Sequence, residues 1–273
     1  MPKPAAIKYR FFAGVFDGWD LARYCIYMKI FSPVFLVALL AVFLVFSGCS
    51  VTQQMDVKID GSGEVVLTVE MGRVFQDYYR DLSGSEPNSP IFAPAEIRST
   101  LQSQAGITVR QVREPQPGKL SITLGLQDVG QLYRDENLDV PQVISFTRAG
   151  NIAALNIRVG RDDIPRFLAL SPVGDSPMIA YLLPPVDQMS RDEYIEFVGW
   201  ALEEYEGETP VADLIAGSRL ELRVVPGGEL VSQRGGLMDG NAVVFAVPLV
   251  DLILAEDDYE FELRFRADEA EEN

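Results

Sequence analysis

Alternating apolar and polar residues recur along the chain from residue 55 onwards, and this pattern predicts β-hairpins. Residues 55–70 alternate on both sides of Asp60-Gly61-Ser62-Gly63, where glycine supplies the positive φ that a tight turn needs. The same alternation, bounded by Gly, Pro, Asn or Asp, predicts further strands over residues 107–112, 120–126, 142–146, 152–159, 218–225, 229–233, 242–247 and 259–265.

Helical spacing of apolar residues is found in fewer segments. It predicts a short helix over 73–82, a second from Pro94 to about 104, and a helical turn over 127–134. The strongest signal begins at Ser190, which can form a capping box with Glu193 and start a helix that runs to about Gly207. We expect its apolar stripe to pack on a sheet; the stripe comprises Tyr194, Phe197, Val198, Ala201, Leu202 and Tyr205.

The order of these elements predicts the fold class. Strands that come in hairpins interrupted by helices, without strict βαβ alternation, favour an α+β fold with a largely antiparallel β-sheet and helices packed on one face. We expect one exported domain over residues 55–267, with a subdivision near 184–188 as the alternative, and a solvated acidic tail over 268–273.

An uncharged apolar run occupies residues 30–46, ahead of the predicted domain. Its length lies between the core of a signal peptide and the roughly 20 residues of a membrane-spanning helix, so length alone does not decide between them. Pro33 near its start, the small residues before Cys49 and the polar residues after it favour a cleaved signal peptide over 1–48, followed by a linker over 49–54. An uncleaved N-terminal membrane anchor is the alternative.

The sequence Phe46-Ser47-Gly48-Cys49 resembles the lipobox of bacterial envelope lipoproteins, although Phe46 stands where most lipoboxes have leucine. The resemblance implies that a peptidase cuts between Gly48 and Cys49 and that Cys49 then carries the lipid. It also implies sorting by the next residue, and Ser50 resembles the signal for the outer membrane. Several acyl chains on one cysteine would hold the protein firmly, whereas a single chain anchors only marginally.

The charges that flank the apolar run predict the orientation and the start of the chain. Basic residues on the N-terminal side predict that this side stays cytoplasmic and that the rest of the chain is exported, to the periplasm or the cell surface. Met28-Lys29 directly precedes the run, whereas the longer N-terminal region also contains Asp17 and Asp20. We therefore expect translation to begin at Met28 rather than Met1.

Composition excludes several classes of function. The first 48 residues carry five basic and two acidic side chains against a whole-chain charge of −17, so the remaining 225 of the 273 residues carry −20. Such a chain repels nucleic-acid phosphates. Its two cysteines are Cys25 and Cys49 and it has no histidine. The exported part therefore has no disulfide, no histidine-based catalysis and no usual zinc site, and we expect no cofactor or metal.

Pairs of carboxylates are the remaining route to an enzyme. Asp162 with Asp163, or the acidic residues between Glu203 and Glu208, could act as acid and base in a carboxylate-dependent hydrolase. Adjacent acidic residues more often form a solvated surface. Gly174-Asp175-Ser176 lacks the second glycine of a nucleophile elbow. We therefore predict no catalytic residues and no enzymatic activity.

The hairpin at 55–69, which closely follows the cysteine, is similar to the corresponding hairpin of LppM-type lipoproteins. Together with the lipobox it leads us to expect a non-enzymatic lipoprotein that is attached to the membrane by its N-terminal lipid and serves as a binding or cell-surface module. Its partner would be an envelope protein or a lipid. The alternative is a protein that binds a lipid or another apolar ligand, because helices over a sheet can enclose a pocket.

Overall fold

The first strand lies in the middle of the larger of two β-sheets. The protein is described by a computed structural model over residues 49–131, 143–164 and 189–267. Within these residues the strands are β1 (Ser50–Val57), β2 (Gly63–Glu70), β3 (Ile107–Gln116), β4 (Lys119–Leu126), β5 (Ile144–Ala149), β6 (Ile152–Val159), β7 (Arg219–Pro226), β8 (Glu229–Arg234), β9 (Leu237–Asp239), β10 (Ala242–Pro248) and β11 (Tyr259–Arg266). The helices are α1 (Arg73–Ser83), α2 (Pro94–Gln102), α3 (Arg191–Ala201), α4 (Val211–Gly217) and α5 (Leu249–Ile253).

The two sheets have different sizes and a common core. The larger sheet has the strand order β3-β4-β2-β1-β7-β10-β9, and the smaller has the order β5-β6-β11-β8. β1 pairs antiparallel with β2 and parallel with β7, and the other strand pairs are antiparallel. Buried side chains from both sheets belong to one hydrophobic cluster, for example Met55 and Val224 from the larger sheet and Leu155 and Phe265 from the smaller.

The α+β class and the largely antiparallel pairing are confirmed. The prediction of a single sheet is not, because the predicted strands divide between two sheets. Most of the predicted strands are found close to their predicted bounds, and the hairpin turn at 58–62 is closed by the Asp60 carboxylate, which accepts from the backbone N–H of Ser62 at 2.9 Å. The Ser62 hydroxyl donates to the same carboxylate oxygen at 2.7 Å, and this bond together with the backbone bond lowers the pKa of Asp60. Helices α4 and α5 and the short strand β9 were not predicted.

The predicted linker at 49–54 is wrong, because β1 begins at Ser50. Every residue from Ser50 to Val57 pairs with both β2 and β7. The segment looked like a linker because its side chains are polar. In the structure Thr52 and Gln54 are exposed whereas Gln53 is buried, so the segment alternates between the two faces of the sheet as a strand does.

The capping box at the start of α3 is confirmed. The Ser190 hydroxyl accepts from the backbone N–H of Glu193 at 3.3 Å, and the Glu193 carboxylate accepts from the backbone N–H of Ser190 at 2.7 Å. These bonds hold the pKa of Glu193 below its usual value. The helix ends at Ala201, before the predicted Gly207, and a short 3-10 turn follows over Glu203–Tyr205.

Some predictions concern residues outside the described ranges. These are the signal peptide at 1–48 with its cleavage residue Gly48, the subdivision near 184–188, the acidic tail at 268–273 and the sequence Gly174-Asp175-Ser176. Among the described residues, no helix is both long enough and apolar enough to cross a membrane.

Candidate functional site at the Cys49 end of the larger sheet

The register of the larger sheet places several helices at the end where β1 begins. Ser50 lies opposite Glu70 of β2 and Arg219 of β7, and Arg219 lies opposite Pro248 of β10. α1 follows β2, α4 precedes β7 and α5 follows β10, so all three helices join the sheet at this end. α3 packs against α4 and α5. We call α1, α3, α4 and α5 the helical cap.

The helical cap has a hydrophobic core of its own. Its buried residues are contributed by the four cap helices and the residue after α3: Val74, Phe75, Tyr194, Val198, Leu202, Val211, Leu214, Ile215 and Val250. Of the stripe predicted on α3, Tyr194, Val198 and Leu202 are buried against other helices and not against a sheet as expected, whereas Ala201 is exposed. Burial also raises the pKa of Tyr194 to about 12.

Cys49, the predicted lipidation site, lies at the edge of this cluster. The residue is half-buried and its side chain packs against the cap core. Burial raises the pKa of its thiol from 9.0 to about 11, and a hydrogen bond from the backbone of Gly72 offsets part of this effect. The free thiol is therefore protonated at neutral pH and is a weak nucleophile in the folded chain, because the thiolate is the reactive form. Gly48 lies outside the described residues.

We predict that the thiol of Cys49 reacts slowly in the folded, unacylated chain. In a Cys25→Ala background, where Cys49 is the only thiol, an aromatic disulfide reagent at pH 7 should modify the folded chain about tenfold or more slowly than the urea-unfolded chain. The rate should rise as the pH approaches 11, because more thiolate forms. Equal rates before and after unfolding would show that the sulfur is not protected by the fold.

The carboxylates considered for catalysis do not converge on one site. Asp163 is buried and accepts from the backbone N–H of Gly160 at 2.9 Å, which closes a 3-10 turn, whereas Asp162 is exposed. Glu206 accepts from the backbone N–H of Val211 at 3.1 Å and so caps the start of α4. Within the described ranges, no three acidic, cysteine or histidine side chains come close enough together to hold a metal ion.

A small cavity lies between the two sheets. Its volume is about 40 Å³, well below the ~150 Å³ that accommodates one benzene ring. The lining residues from the larger sheet are Gln53, Leu220, Leu222, Phe245 and Val247. Those from the smaller sheet are Ile144, Ile157, Val159 and Phe261, and Val143, the residue before β5, completes the lining. Among them only Gln53 is polar. The sequence did not predict this cavity, because alternation assigns residues to a face without showing which sheet covers that face.

The chain matches no protein-family model and no curated protein. Its structure is similar to the folded domain of LppM from Mycobacterium tuberculosis, with a TM-score of 0.36 and 12% identity over 82% of this chain and 93% of that domain. It is also similar to an M1 zinc metallopeptidase from Deinococcus radiodurans, with a TM-score of 0.26 and 11% identity over 80% of this chain and 42% of the peptidase. At these scores and identities we carry over no site residue, ligand or activity.

Proposed function

We propose that the chain is a non-enzymatic lipoprotein of the bacterial cell envelope. Residues 1–48 are its signal peptide, Cys49 carries the lipid, and the α+β domain serves as a binding or structural module on the exported side of the membrane. Ser50 favours the outer membrane as the final location. This proposal combines the lipobox of the sequence with the position that the structure gives to Cys49.

The observation that carries the proposal is the distance along the chain between the lipobox cysteine and the fold. β1 begins at Ser50, one residue after Cys49, and the described residues all belong to one compact unit. Cleavage before Cys49 would therefore remove none of the described strands or helices. A cut at this bond is compatible with an intact domain, as the lipoprotein interpretation requires.

The short distance between Cys49 and β1 also affects how the domain would be attached to the membrane. A polar linker would have let the domain move freely above the bilayer, but the first residue of β1 is already paired with both neighbouring strands of a seven-stranded sheet. Without such a linker, a lipid on Cys49 would hold the Cys49 end of the sheet close to the membrane surface. A lipoprotein of this kind would present a defined side of its domain to partners.

Metabolic labelling with a clickable fatty-acid analogue tests the proposal. We expect label in the wild-type chain and in Cys25→Ala, and complete loss of label in Cys49→Ala, because Cys49 alone would be acylated. Cys25→Ala is the matched control, since it removes the other cysteine of the chain. The intact mass of the purified protein should correspond to residues 49–273 plus the lipid.

Two results would contradict the proposal. Label that persists in Cys49→Ala would place the acyl group elsewhere. An unacylated protein that retains residues 1–48 would show that the apolar run is an uncleaved anchor. Fractionation of inner and outer membranes from the same cells then tests the location that Ser50 favours, since recovery in the inner membrane would be at odds with outer-membrane sorting.

Binding of a lipid or another apolar ligand is the second candidate, and the observation in its favour is the apolar cavity between the sheets. At about 40 Å³ the cavity would have to widen before it could hold an acyl chain, because ligand pockets usually measure ~300–1,000 Å³. Native mass spectrometry of the protein purified from cells tests this candidate. A co-purified apolar molecule would appear as added mass beyond the covalent lipid, and its absence would speak against a carrier role.

A further inference from the structure

Trp200 is the most unusual surface residue of the helical cap. It lies near the C-terminal end of α3, and 73% of its surface is exposed. Tryptophan is among the residues most enriched at the energetic centres of protein–protein interfaces, whereas large apolar side chains are usually buried. Nothing in the packing of α3 requires an indole here, because the buried face of this helix is formed by Tyr194 and Val198.

The surface around Trp200 is acidic. Glu196 lies one helical turn before Trp200 on the same exposed face, and Glu203 and Glu204 follow shortly after it. No ion pair joins these three carboxylates to a basic side chain within the ranges that the structure describes. Elsewhere on the domain most of the exposed arginines have acidic partners. We call Glu196, Trp200, Glu203 and Glu204 the Trp200 face.

The Trp200 face is held in place by the contact between the turn after α3 and helix α1. The Tyr205 hydroxyl donates to the Asp81 carboxylate at 3.0 Å, and the rings of Tyr78 and Tyr205 meet edge to face with centroids 5.4 Å apart. Leu82, the neighbour of Asp81, is also 59% exposed. The exposed tryptophan therefore lies on a fixed surface and not on a free loop, which reduces the entropy that binding would cost.

We propose that the Trp200 face docks a basic segment of another envelope protein, with an arginine stacked on the indole and the neighbouring carboxylates paired with further basic residues. The charge of the face selects this class of partner, because three carboxylates that form no ion pair with the basic side chains of the described ranges repel an acidic partner. A guanidinium over the face of a tryptophan gains a cation–π interaction as well. The inference rests on the proposed binding role and does not depend on how the chain is anchored.

A bilayer is the other surface on which an exposed tryptophan is commonly found, since the indole favours the interface between water and lipid. The charges around Trp200 count against this occupant. Glu196, Glu203 and Glu204 would have to approach a headgroup layer that is often anionic, which is unfavourable. A basic protein segment can stack on the indole and pair with the carboxylates at the same time. It is therefore the partner that we propose for the Trp200 face.

The chain provides its own reporter for the test. Its two tryptophans are Trp19 and Trp200, so in the full chain with Trp19→Phe all tryptophan emission comes from Trp200. The purified, detergent-solubilised chain is titrated at low salt with labelled peptides of eight arginines or eight lysines. We expect saturable binding, a change in Trp200 emission, tighter binding of the arginine peptide, and loss of binding in about 1 M salt.

Variants assign the binding to the face and separate it from the overall acidity of the chain. Glu203→Gln with Glu204→Gln should weaken binding of the arginine peptide about fivefold, whereas Glu86→Gln with Glu96→Gln should change it less than about twofold. The control pair removes the same charge from exposed positions in the α1–α2 connection and on α2. Trp200→Leu should abolish the preference for arginine over lysine, because leucine has no π face.

Three results would overturn the inference. Equal weakening by the two pairs of substitutions would show binding to net charge alone. Arginine preference that survives in Trp200→Leu would exclude the indole. Quenching of Trp200 by brominated phosphatidylcholine vesicles, without a response to the peptides, would identify a membrane contact. The intact mass of the same preparation reports separately whether Cys49 is acylated, so a failure of the proposed anchor and a failure of the docking surface can be told apart.

Discussion

A chain that begins at Met55 is expected to remain unfolded, whereas a chain that begins at Cys49 is expected to fold. Met55 is the start that the sequence pattern predicted for the domain, but it lies in the middle of β1. Deleting 49–54 removes five of the eight residues of a strand that is the fourth of seven in its sheet. The two halves of the sheet would then be joined only by what remains of β1.

The expected loss of stability follows from the strand pairs that the deleted residues form. Residues from Ser50 to Gln54 pair with β2 on one side and with β7 on the other, and Gln53 is buried in the core. Losing them leaves backbone N–H and C=O groups of both neighbours without partners inside the sheet, and each such group costs about 1–3 kcal/mol when buried. A folded domain is more stable than its unfolded chain by only about 5–15 kcal/mol. We therefore expect the stabilisation lost with these residues to exceed the whole free energy of unfolding.

Circular dichroism and urea titration measure this effect directly. The chain from residue 49 should show strand content and a cooperative transition, and the chain from residue 55 should show neither. Removal of 268–273 is the matched control, because it deletes the same number of residues from the predicted acidic tail at the other end. Cooperative unfolding of the chain from residue 55 would mean that β7 and β2 can be bridged without the first half of β1.

The features that the sequence predicted well are the local ones. The turn at Asp60-Gly61-Ser62-Gly63 and the capping box of Ser190 with Glu193 are determined by residues within a few positions of each other. Gly61 has φ 86°, a conformation that favours glycine, so the residue type itself marks the turn. Such signals locate hairpins and helix starts without any knowledge of the rest of the fold.

The features that the sequence did not predict depend on contacts between distant parts of the chain. Met55 of β1 lies beside Val224 of β7 in a parallel pair, and no pattern within either segment specifies the other as its partner. Alternation states that one face of a strand is buried, but it does not state against which sheet. The division into two sheets and the strand at Ser50–Gln54 therefore became evident only in three dimensions.

The candidate site likewise combines a feature that local sequence predicted with features that depend on long-range contacts. Cys49 was predicted from the four residues of the lipobox, whereas the helical cap around it results from the register of β1, β2, β7 and β10. The Trp200 face did leave a signal in the sequence. Trp200 lies outside the apolar stripe of α3 and on the same helical face as Glu196, and a tryptophan on the charged side of an amphipathic helix has no role in the core.

Replacement of Glu114 is expected to have the second-largest effect on stability. Glu114 on β3 binds three backbone N–H groups: one carboxylate oxygen accepts from Ile91 at 2.9 Å and from Gly118 at 2.8 Å, and the other accepts from Phe92 at 3.0 Å. It thereby ties the segment between α1 and α2 to the β3–β4 hairpin. Ile91 and Phe92 are only 2% and 3% exposed, so water cannot replace these bonds without opening the core.

Glu114→Ala should lower the free energy of unfolding by about 3 kcal/mol, since bonds to a charged acceptor are worth about 1.5–3 kcal/mol each and the losses are not fully additive. Glu114→Gln should lower the free energy of unfolding by about half as much. Its amide keeps one oxygen that accepts hydrogen bonds, but its NH₂ group faces a backbone N–H, which is also a donor. Glu96→Gln, on the exposed side of α2, is the control and should change the midpoint in urea very little. If Glu114→Ala were as stable as Glu96→Gln, the segment at Ile91 would be held by apolar packing alone, and the carboxylate would be incidental to the fold.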